Sequence, residues 1–306
     1  MSLLDERGKL AGKVAAVIGG AAGIGEAVSL SLAAAGVNLA ICDWDSTSLA
    51  ATVAAAEKLG RRVYSATADV LNPKDIEAFY AGLEQSFDHL DILVNLAGGV
   101  IRRPFMETKP EHWDHDIQRN YRYVLQSIQR AVPLIRKSGR GGSIINFTTI
   151  EAHRGAATFA VYAGAKAGLE NFTRAVAVEL GPERIRVNTI APDQTPSHGN
   201  WNAMSEMGLT EIQALPPGYF EAAWKMYIPM EVPPPVQELG NAVLFLASDL
   251  AAYITGITLH VDGGCHASMG FNNWPYGDSW APVPIGNTLP RMFKEEFEAK
   301  NQVTKP

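Results

Sequence analysis

Tyr162 and Lys166 are two side chains with acid–base chemistry that lie four residues apart. Residues 159–169 around them predict the first turns of a helix, because small residues fill this stretch and apolar residues continue beyond it at helical spacing. Four residues are about one helical turn, so both side chains should share a face. A cation beside a phenol lowers the phenol pKa, and such a tyrosine can exchange a proton near neutral pH. The pair predicts a general acid/base. A chance pair on a solvated helix face is the alternative, since the chain has nine tyrosines.

Short apolar segments alternate with helical patterns along most of the chain. We predict strands at residues 13–18, 37–42, 62–66, 92–95, 143–148, 185–190 and 257–261. Between them we predict helices at residues 26–35, from a Ser46 cap to Gly60, from an Asn72 cap with Pro73, at 110–137, from 159 and at 236–248. The strands are apolar on both faces, which predicts a parallel sheet covered by helices on either side. Right-handed crossovers then give a doubly wound α/β sheet.

A glycine cluster follows the first predicted strand and opens the first long helix. Gly19 permits a tight turn, while Gly23 and Gly25 let backbone and ligand approach each other. A pyrophosphate would then lie at the helix N-terminus, where backbone N–H groups are unpaired. A tight turn without a ligand is the alternative.

Asp43 ends the second predicted strand, 18 residues after Gly25. A carboxylate there can accept hydrogen bonds from both ribose hydroxyls of an adenosine and would repel a 2′-phosphate. Residues 19–57 contain no Arg or Lys that would offset this repulsion. We therefore predict NAD and not NADP, with a solvated aspartate at the strand end as the alternative. Asp69 ends the third strand and fits either a polar contact to adenine or a turn former.

Composition places the chain among globular proteins. It has 306 residues, 47% of them hydrophobic, and a formal net charge of −6, so neither nucleic acid nor an anionic membrane is an expected partner. The two cysteines, Cys42 and Cys265, suit free intracellular thiols better than a disulfide framework. The first ten residues are charged and contain no apolar signal region. We expect a cytoplasmic protein.

Two segments depart from the alternating pattern. Residues 192–235 are rich in Pro, Met and Trp and are long for a loop, which is typical of a lid or binding segment. Residues 266–306 form a tail rich in aromatic residues, which we expect to pack on the domain or on a neighbouring subunit, since disordered tails are poor in them. The predicted organisation is one catalytic domain over residues 1–265, including the lid, followed by this extension.

With these residues in place, the chain resembles the classical short-chain dehydrogenase/reductase family over about residues 10–265. The motifs that carry the resemblance are Gly19-xxx-Gly23-x-Gly25, Asp69-Val70, Asn95-Leu-Ala-Gly98, Asn120, Ser143-Ile-Ile-Asn146, Tyr162-xxx-Lys166, Arg186-Val-Asn-x-Ile-Ala-Pro192, and Thr255-Gly followed by Val261-Asp-Gly-Gly264. The resemblance implies a Rossmann-type sheet of about seven strands in three α/β/α layers. It also implies hydride transfer between a nicotinamide and an alcohol or carbonyl, and a homotetramer (or homodimer) paired through the helices on either side of the fifth strand.

The same resemblance implies roles for individual residues. Tyr162 would be the proton donor or acceptor, Lys166 would lower its pKa and hold the nicotinamide ribose, and Asn120 would hold a water next to Lys166. Thr149 occupies the position of the family's serine, which bonds the substrate oxygen. The residues implied in binding NAD are Gly19, Gly23, Ile24, Gly25, Asp43, Trp44, Asp69, Val70, Asn95, Ala97, Gly98, Tyr162, Lys166, Pro192 and Thr195.

The chain departs from the family pattern at four positions. Thr149 replaces serine and keeps the hydroxyl, but its methyl stiffens χ1 and narrows the pocket. Ile18 replaces a threonine that braces the glycine turn, and Leu96 replaces an asparagine. Asp193 replaces the glycine after Pro192, in the loop that holds the nicotinamide amide, where Thr195 or Ser197 could still bond that amide.

Other polar residues near the predicted strand ends have weaker claims to function. His112, Asp114, His115 and Asp116 resemble metal ligands by composition, but nothing nearby completes a ligand set, so we predict a solvated helix start and no metal site. Arg102 and Arg103 could meet an anionic substrate tail or lie in a solvated loop. Glu151 and His153 could line the substrate mouth or lie on the surface.

The sequence thus predicts an NAD-dependent oxidoreductase that interconverts a secondary alcohol and a ketone. The aromatic and methionine content of the lid favours a bulky apolar substrate of alicyclic, aromatic or steroid-like kind; the alternative is that these residues only bury the lid. Two other functions stay open: oxidoreduction of a 3-oxoacyl/3-hydroxyacyl thioester, and a non-catalytic NAD-binding scaffold.

Overall fold

The computed structural model describes residues 3–193, 195, 218–233, 235–284 and 286–294. It divides into two compact units: Met1–Leu209 with Pro234–Val261, and Thr210–Pro233 with Asp262–Pro306. The first unit contains the glycine turn and the Tyr162–Lys166 pair.

A single parallel sheet of seven strands forms the centre of the first unit. The strands are β1 Val14–Ile18, β2 Asn38–Asp43, β3 Val63–Thr67, β4 Ile92–Asn95, β5 Gly142–Phe147, β6 Ile185–Pro192 and β7 Thr258–Val261. Their order is β3-β2-β1-β4-β5-β6-β7, and every neighbouring pair is parallel. The order reverses between β1 and β4, which opens a crevice at the carboxyl ends of the strands. The predicted doubly wound, Rossmann-type sheet is confirmed.

Helices cover both faces of this sheet and make the three predicted layers. They are α1 Leu3–Gly8, α2 Ile24–Ala34, α3 Ser46–Lys58, α4 Pro73–Ser86, α5 Pro110–Ile117, α6 Tyr123–Ser138, α7 Ala160–Leu180 and, from later in the chain, α9 Val236–Ala247. One apolar core joins α4, α6 and α7 to the sheet, and a second joins α2, α3 and α9 to the opposite face. Because strands between two cores are buried on both sides, their uninterrupted apolar sequences are explained.

Polar side chains cap two of these helices. Asn72 accepts a hydrogen bond from the Lys74 amide and Pro73 follows it, as predicted. The predicted cap of α3 is wrong by one residue. Asp45, not Ser46, caps the helix by accepting from the amides of Thr47 and Ser48, because its backbone is still extended there while Ser46 is already helical.

The second unit contains a helix and a small hairpin. Helix α8, Tyr219–Tyr227, carries part of the predicted lid, and strands β8 Asn272–Trp274 and β9 Ser279–Ala281 pair antiparallel ahead of α10, Thr288–Met292. In the tail, the Trp274 indole donates to the Ala281 carbonyl at 2.9 Å. The Arg291 guanidinium lies 4.6 Å from the Tyr276 ring centroid. Much of the lid, including Trp201, Met204 and Met207, lies outside the described residues, as does Phe297 of the tail.

Among the helices of the described ranges, none is both long and apolar enough to cross a lipid bilayer.

Candidate active site

A π-helical turn, Gln118–Arg122, interrupts the helical stretch between α5 and α6 and positions Asn120. The Asn120 side chain is fully buried, and its amide donates to the carbonyls of Asp116 at 3.0 Å and Gly99 at 2.9 Å. Its oxygen accepts from the Gly99 amide at 3.1 Å. Single π turns inside α-helices occur frequently at functional sites. Here the extra residue turns Asn120 toward the loop that follows β4.

Gly98 brings Asn120 and Lys166 to the same point. A Cβ atom added at Gly98 would lie 2.9 Å from Asn120 Oδ1 and 3.3 Å from Lys166 Nζ. Any larger residue would therefore displace both side chains. Asn120 and Lys166 therefore lie close together, and the water assigned to Asn120 stays a prediction.

Thr149 and Tyr162 belong to two segments that pack against each other. Thr149 follows β5 with an extended backbone, and Tyr162 lies in the first turn of α7. Thr149 Oγ1 is hydrogen-bonded to the Glu151 carboxylate and accepts from the Glu151 amide at 3.4 Å. The role of the Thr149 hydroxyl toward a substrate oxygen stays a prediction.

The expected lowering of the Tyr162 pKa is wrong for the structure. Burial raises the pKa of Tyr162 to about 12; the Thr149 hydroxyl lowers it, and the Glu151 charge raises it further. Lys166 Nζ donates to the Phe147 carbonyl at 2.8 Å. Helical spacing predicted a shared face correctly, but it carries no information on desolvation.

Lys166 is itself perturbed. Its side chain is 4% exposed, and burial, with a smaller contribution from the Arg119 charge, lowers its pKa to about 8. A buried ammonium near its titration point changes protonation at little cost, which suits a group on a proton path.

The glycine turn forms a close-fitting backbone cradle. Gly19 has φ +83°, and a Cβ there would lie 2.7 Å from the Ala97 backbone, while one at Gly25 would lie 2.0 Å from the Gly19 carbonyl oxygen. Gly23 is the N-cap of α2, with φ 56°, and Ile24 begins the helix. This backbone, at a helix N-terminus beside the crevice, fits a dinucleotide pyrophosphate.

Three side chains brace the turn in spite of Ile18. Ser29 donates to the Gly20 carbonyl at 2.8 Å, Thr52 donates to the Ala21 carbonyl at 2.9 Å, and Asp43 accepts from the Ala21 amide at 3.0 Å. These hydrogen bonds from α2, α3 and β2 therefore compensate for the one that the family's threonine makes. Sequence reasoning missed Ser29 and Thr52, because each looks like an ordinary polar residue in an apolar helix.

Asp43 lies at the carboxyl end of β2, where the sequence predicted it. Its carboxylate is 8% exposed and accepts from the amides of Ala21 and, at 3.2 Å, Asp45. The adjacent Trp44 side chain is 74% exposed. Both carboxylate oxygens keep further lone pairs for ribose hydroxyls, so this residue fits an adenosine ribose while it holds the turn.

Most of the other predicted cofactor residues make hydrogen bonds within the protein. Asn95 is fully buried, donates to Asn146 and accepts from Ser127, so its side chain cross-links the core. Ala97 offers its carbonyl to the Tyr123 hydroxyl at 2.6 Å. Asp69 accepts from the Leu71 amide, as a turn former does, and the Val70 carbonyl accepts from Gln118. Pro192 ends β6, Thr195 is 2% exposed, and Ser197 lies outside the described residues.

A small pocket lined by both apolar and polar residues adjoins Tyr162 on the side of the loop after β4. Its lining includes Val100, Ile101, Arg103, Phe105, Thr108, Trp113 and Phe159. Phe105 and Trp113 are stacked, with ring centroids 6.1 Å apart, and the Arg102 guanidinium lies 4.9 Å from the Phe159 centroid. The sequence pointed to the two arginines here but missed the aromatic pair, which is eight residues apart and has no helical register.

Residues in the histidine- and aspartate-rich α5 make local polar contacts at the start of the helix and along it. His112 Nδ1 accepts from the Lys109 amide at 3.2 Å, and Asp116 is buried beside His115. His112 and Asp116 also line the pocket next to Tyr162.

The fold and this constellation together define a class: a Rossmann-type dinucleotide-binding oxidoreductase with a tyrosine–lysine pair. Comparisons with known proteins agree. A family model described as enoyl-(acyl carrier protein) reductase matches residues 19–266. The short chain dehydrogenase/reductase astE of Aspergillus oryzae is 33% identical over 262 residues, which are 85% of this chain and 97% of that protein. The chain belongs to the short-chain dehydrogenase/reductase family.

Two further relatives have names that state an activity. The 3-oxoacyl-(acyl-carrier-protein) reductase FabG of Escherichia coli is 33% identical over 255 residues, which are 83% of this chain and 98% of that protein. Carveol dehydrogenase from Mycobacterium avium, solved in complex with NAD, is 32% identical. It superposes with a TM-score of 0.77 over 84% of this chain and 99% of that one.

Proposed function

We propose that the protein is an NAD(H)-dependent oxidoreductase that interconverts a secondary alcohol and a ketone. The observation that carries this proposal is the convergence of Lys166 Nζ and Asn120 Oδ1 at Gly98, with Tyr162 one turn before Lys166 on the same helix. Tyr162 would exchange the proton of the substrate oxygen, and Thr149 would hold that oxygen by its hydroxyl. Lys166 and Asn120 would carry the proton away through their polar contacts.

NAD is the cofactor we assign, and it supplies hydride acceptance or donation when bound. The glycine cradle at the start of α2 would hold its pyrophosphate, and Asp43 would accept from its adenosine ribose. The buried charge of Asp43 disfavours a 2′-phosphate, which supports NAD over NADP. The NAD in the carveol dehydrogenase complex is consistent with this assignment.

A bulky, largely apolar substrate is the class that we propose. The pocket walls beside Tyr162 include the stacked Phe105–Trp113 pair and Phe159, next to the polar side chains of Arg103, His112 and Asp116. Aromatic walls favour apolar ligands, and carveol dehydrogenase is named for an alcohol.

A 3-oxoacyl thioester is the second candidate, because the E. coli FabG relative acts in that class and Arg102 and Arg103 follow β4 close to Tyr162. A substrate panel separates the two. Cyclic secondary alcohols with NAD should give NADH in the first case, and acetoacetyl thioesters should consume NADH in the second.

Tyr162→Phe tests the chemistry itself. The variant should bind NADH like the wild type and lose turnover by about a thousandfold or more, because the general acid/base is removed while the ring remains. NAD binding by the wild type without turnover of any panel member would favour a non-catalytic scaffold instead.

We also propose a homotetramer paired through α6 and α7. These two helices share an open apolar groove of about 390 Å³, lined by Leu125, Ile128, Val132, Pro133, Phe172 and Val176. An open apolar groove between two helices is typical of subunit interfaces.

A further inference from the structure

A strained residue lies in the turn just before the helix that carries Tyr162. Thr158 has φ 70°, in the left-handed region that glycine adopts freely and that residues branched at Cβ rarely adopt. The turn is closed by a hydrogen bond from the Phe159 amide to the Ala156 carbonyl at 3.2 Å. A left-handed residue at the third position of such a turn is usually glycine or asparagine. Strain of this kind persists only where neighbouring contacts hold the backbone, and it is concentrated at functional sites.

Two consecutive arginines after β4 hold this strained residue and its neighbour. The Arg103 amide donates to the Thr158 carbonyl at 3.1 Å, and Arg102 Nε donates to Thr158 Oγ1 at 3.3 Å. The Arg102 guanidinium also lies over the Phe159 ring, 4.9 Å from its centroid. These contacts among Arg102, Arg103, Thr158 and Phe159, which we call the clasp, join the loop after β4 to the start of α7.

The clasp belongs to the pocket beside Tyr162. Arg103, Thr158 and Phe159 all line this pocket. The Phe159 and Tyr162 rings have centroids 6.1 Å apart. The rest of the lining comes from the loop after β4, from α5 and from the first residues of α7. The clasp therefore fixes the separation between two pocket walls, one on the loop after β4 and one at the start of α7.

We propose that Thr158 determines how wide a substrate the enzyme accepts, because its strained backbone and its hydroxyl hold the two walls of the pocket together. The hydroxyl supplies the acceptor for Arg102 that a glycine would lack, which gives a reason for threonine at a position whose backbone favours glycine. The proposal rests on the proposed function and deepens it, since it names a residue that selects among secondary alcohols of different bulk.

The test measures size selectivity as kcat/KM for menthol divided by kcat/KM for cyclohexanol, both with NAD. Thr158→Gly removes the hydroxyl and lets the backbone leave the left-handed region, and Arg102→Ala removes both side-chain contacts of the clasp. In either variant the walls should separate, so the ratio should rise about fivefold or more, mainly through a lower KM for menthol. Thr158→Asn keeps an oxygen acceptor on a residue that tolerates positive φ, so its ratio should stay near that of the wild type.

Two further measurements separate the clasp from a general loosening of the fold. Arg7→Ala, at an exposed arginine of α1, is the matched control and should leave the ratio unchanged. Hydrogen–deuterium exchange of a peptide that covers residues 99–109 reports on the Arg103 amide, which should exchange faster in Thr158→Gly and in Arg102→Ala than in the wild type.

A higher ratio in both Thr158→Gly and Arg102→Ala, with Thr158→Asn near the wild type, supports the proposal. An unchanged ratio in either of the first two variants overturns it, and so does a rise of the same size in Arg7→Ala. If the wild type turns over neither alcohol, the proposed function fails, and selectivity is then read from binding. NADH fluorescence gives the Kd of menthone and of cyclohexanone for the NADH complex. A shift of the Kd ratio toward menthone in Thr158→Gly supports the role of Thr158, whereas a constant ratio, or ketones that do not bind, overturns it.

Discussion

Replacing Gly25 by alanine should displace the backbone of the glycine turn and weaken nucleotide binding. The added Cβ would lie 2.0 Å from the Gly19 carbonyl oxygen, 3.0 Å from the Gly19 carbonyl carbon and 3.0 Å from Gly20 Cα. All three neighbours are backbone atoms, so no side chain can rotate away. Reaching even 3.0 Å from the oxygen requires a movement of 3.0 − 2.0 = 1.0 Å between the turn and α2.

The expected cost follows from this forced movement. Overpacking that shifts backbone costs about 2 kcal/mol of unfolding free energy. The same movement displaces the amides that would hold the pyrophosphate, so NADH affinity should fall by at least about tenfold, which corresponds to about 1.4 kcal/mol. Urea unfolding measures the first effect, and NADH fluorescence titration at a temperature where the variant is folded measures the second.

Gly164→Ala is the matched control. Gly164 lies in α7 between Tyr162 and Lys166, and a Cβ there meets nothing within 4 Å. Alanine is a better helix former than glycine, so this variant should gain about 0.5–1 kcal/mol of unfolding free energy. Gly25→Ala with unchanged NADH affinity would refute our assignment of the turn to the pyrophosphate, whatever its stability.

Three further predictions concern the cofactor, the core and the assembly. Asp43→Asn keeps an oxygen for the Ala21 amide but removes the charge, so the ratio of kcat/KM for NADP to that for NAD should rise about tenfold, and an unchanged ratio would contradict the reading of Asp43. Asp91→Ala should lower the free energy of unfolding in urea by about 3 kcal/mol, because this buried carboxylate holds the Val14 amide at 2.9 Å and Arg140 at 2.8 Å. The KM for NAD should not change, because Asp91 precedes β4 at the edge of the sheet opposite the crevice. Val176→Arg should dissociate the proposed tetramer in analytical ultracentrifugation, while Leu59→Arg, at an exposed apolar position after α3, should not. A tetramer that stays intact in Val176→Arg would exclude the groove as the interface.

The sheet was predictable because the residue types in its strands indicate burial on both faces. Residues 14–18 and 92–94 are apolar without alternation, as expected for strands between two helix layers. The predicted strands agree with the observed ones to within two residues. The cap at Asp45 was misplaced because Asp45 and Ser46 are both good caps, and only the backbone angle distinguishes them.

The candidate site was predictable in its parts and not in its electrostatics. Spacing placed Tyr162 and Lys166 on one helix face, and chain position placed Thr149 at the end of β5. The spacing could not show how far the phenol is desolvated, because that depends on how α7 packs on the sheet. Burial is the largest cause of the raised Tyr162 pKa, so the pKa was expected to move in the wrong direction.

The departures from the family pattern make physical sense when they are taken together. A lone aspartate in place of a glycine at position 193 looks like a defect in a ligand loop, and a lone threonine at 149 looks like a steric compromise. In the structure Arg154 lies between Asp193 and Glu151, and Glu151 is bonded to Thr149. Opposite charges that are shielded from water attract each other more strongly than on the surface. The loops after β5 and β6 are thus joined through Arg154.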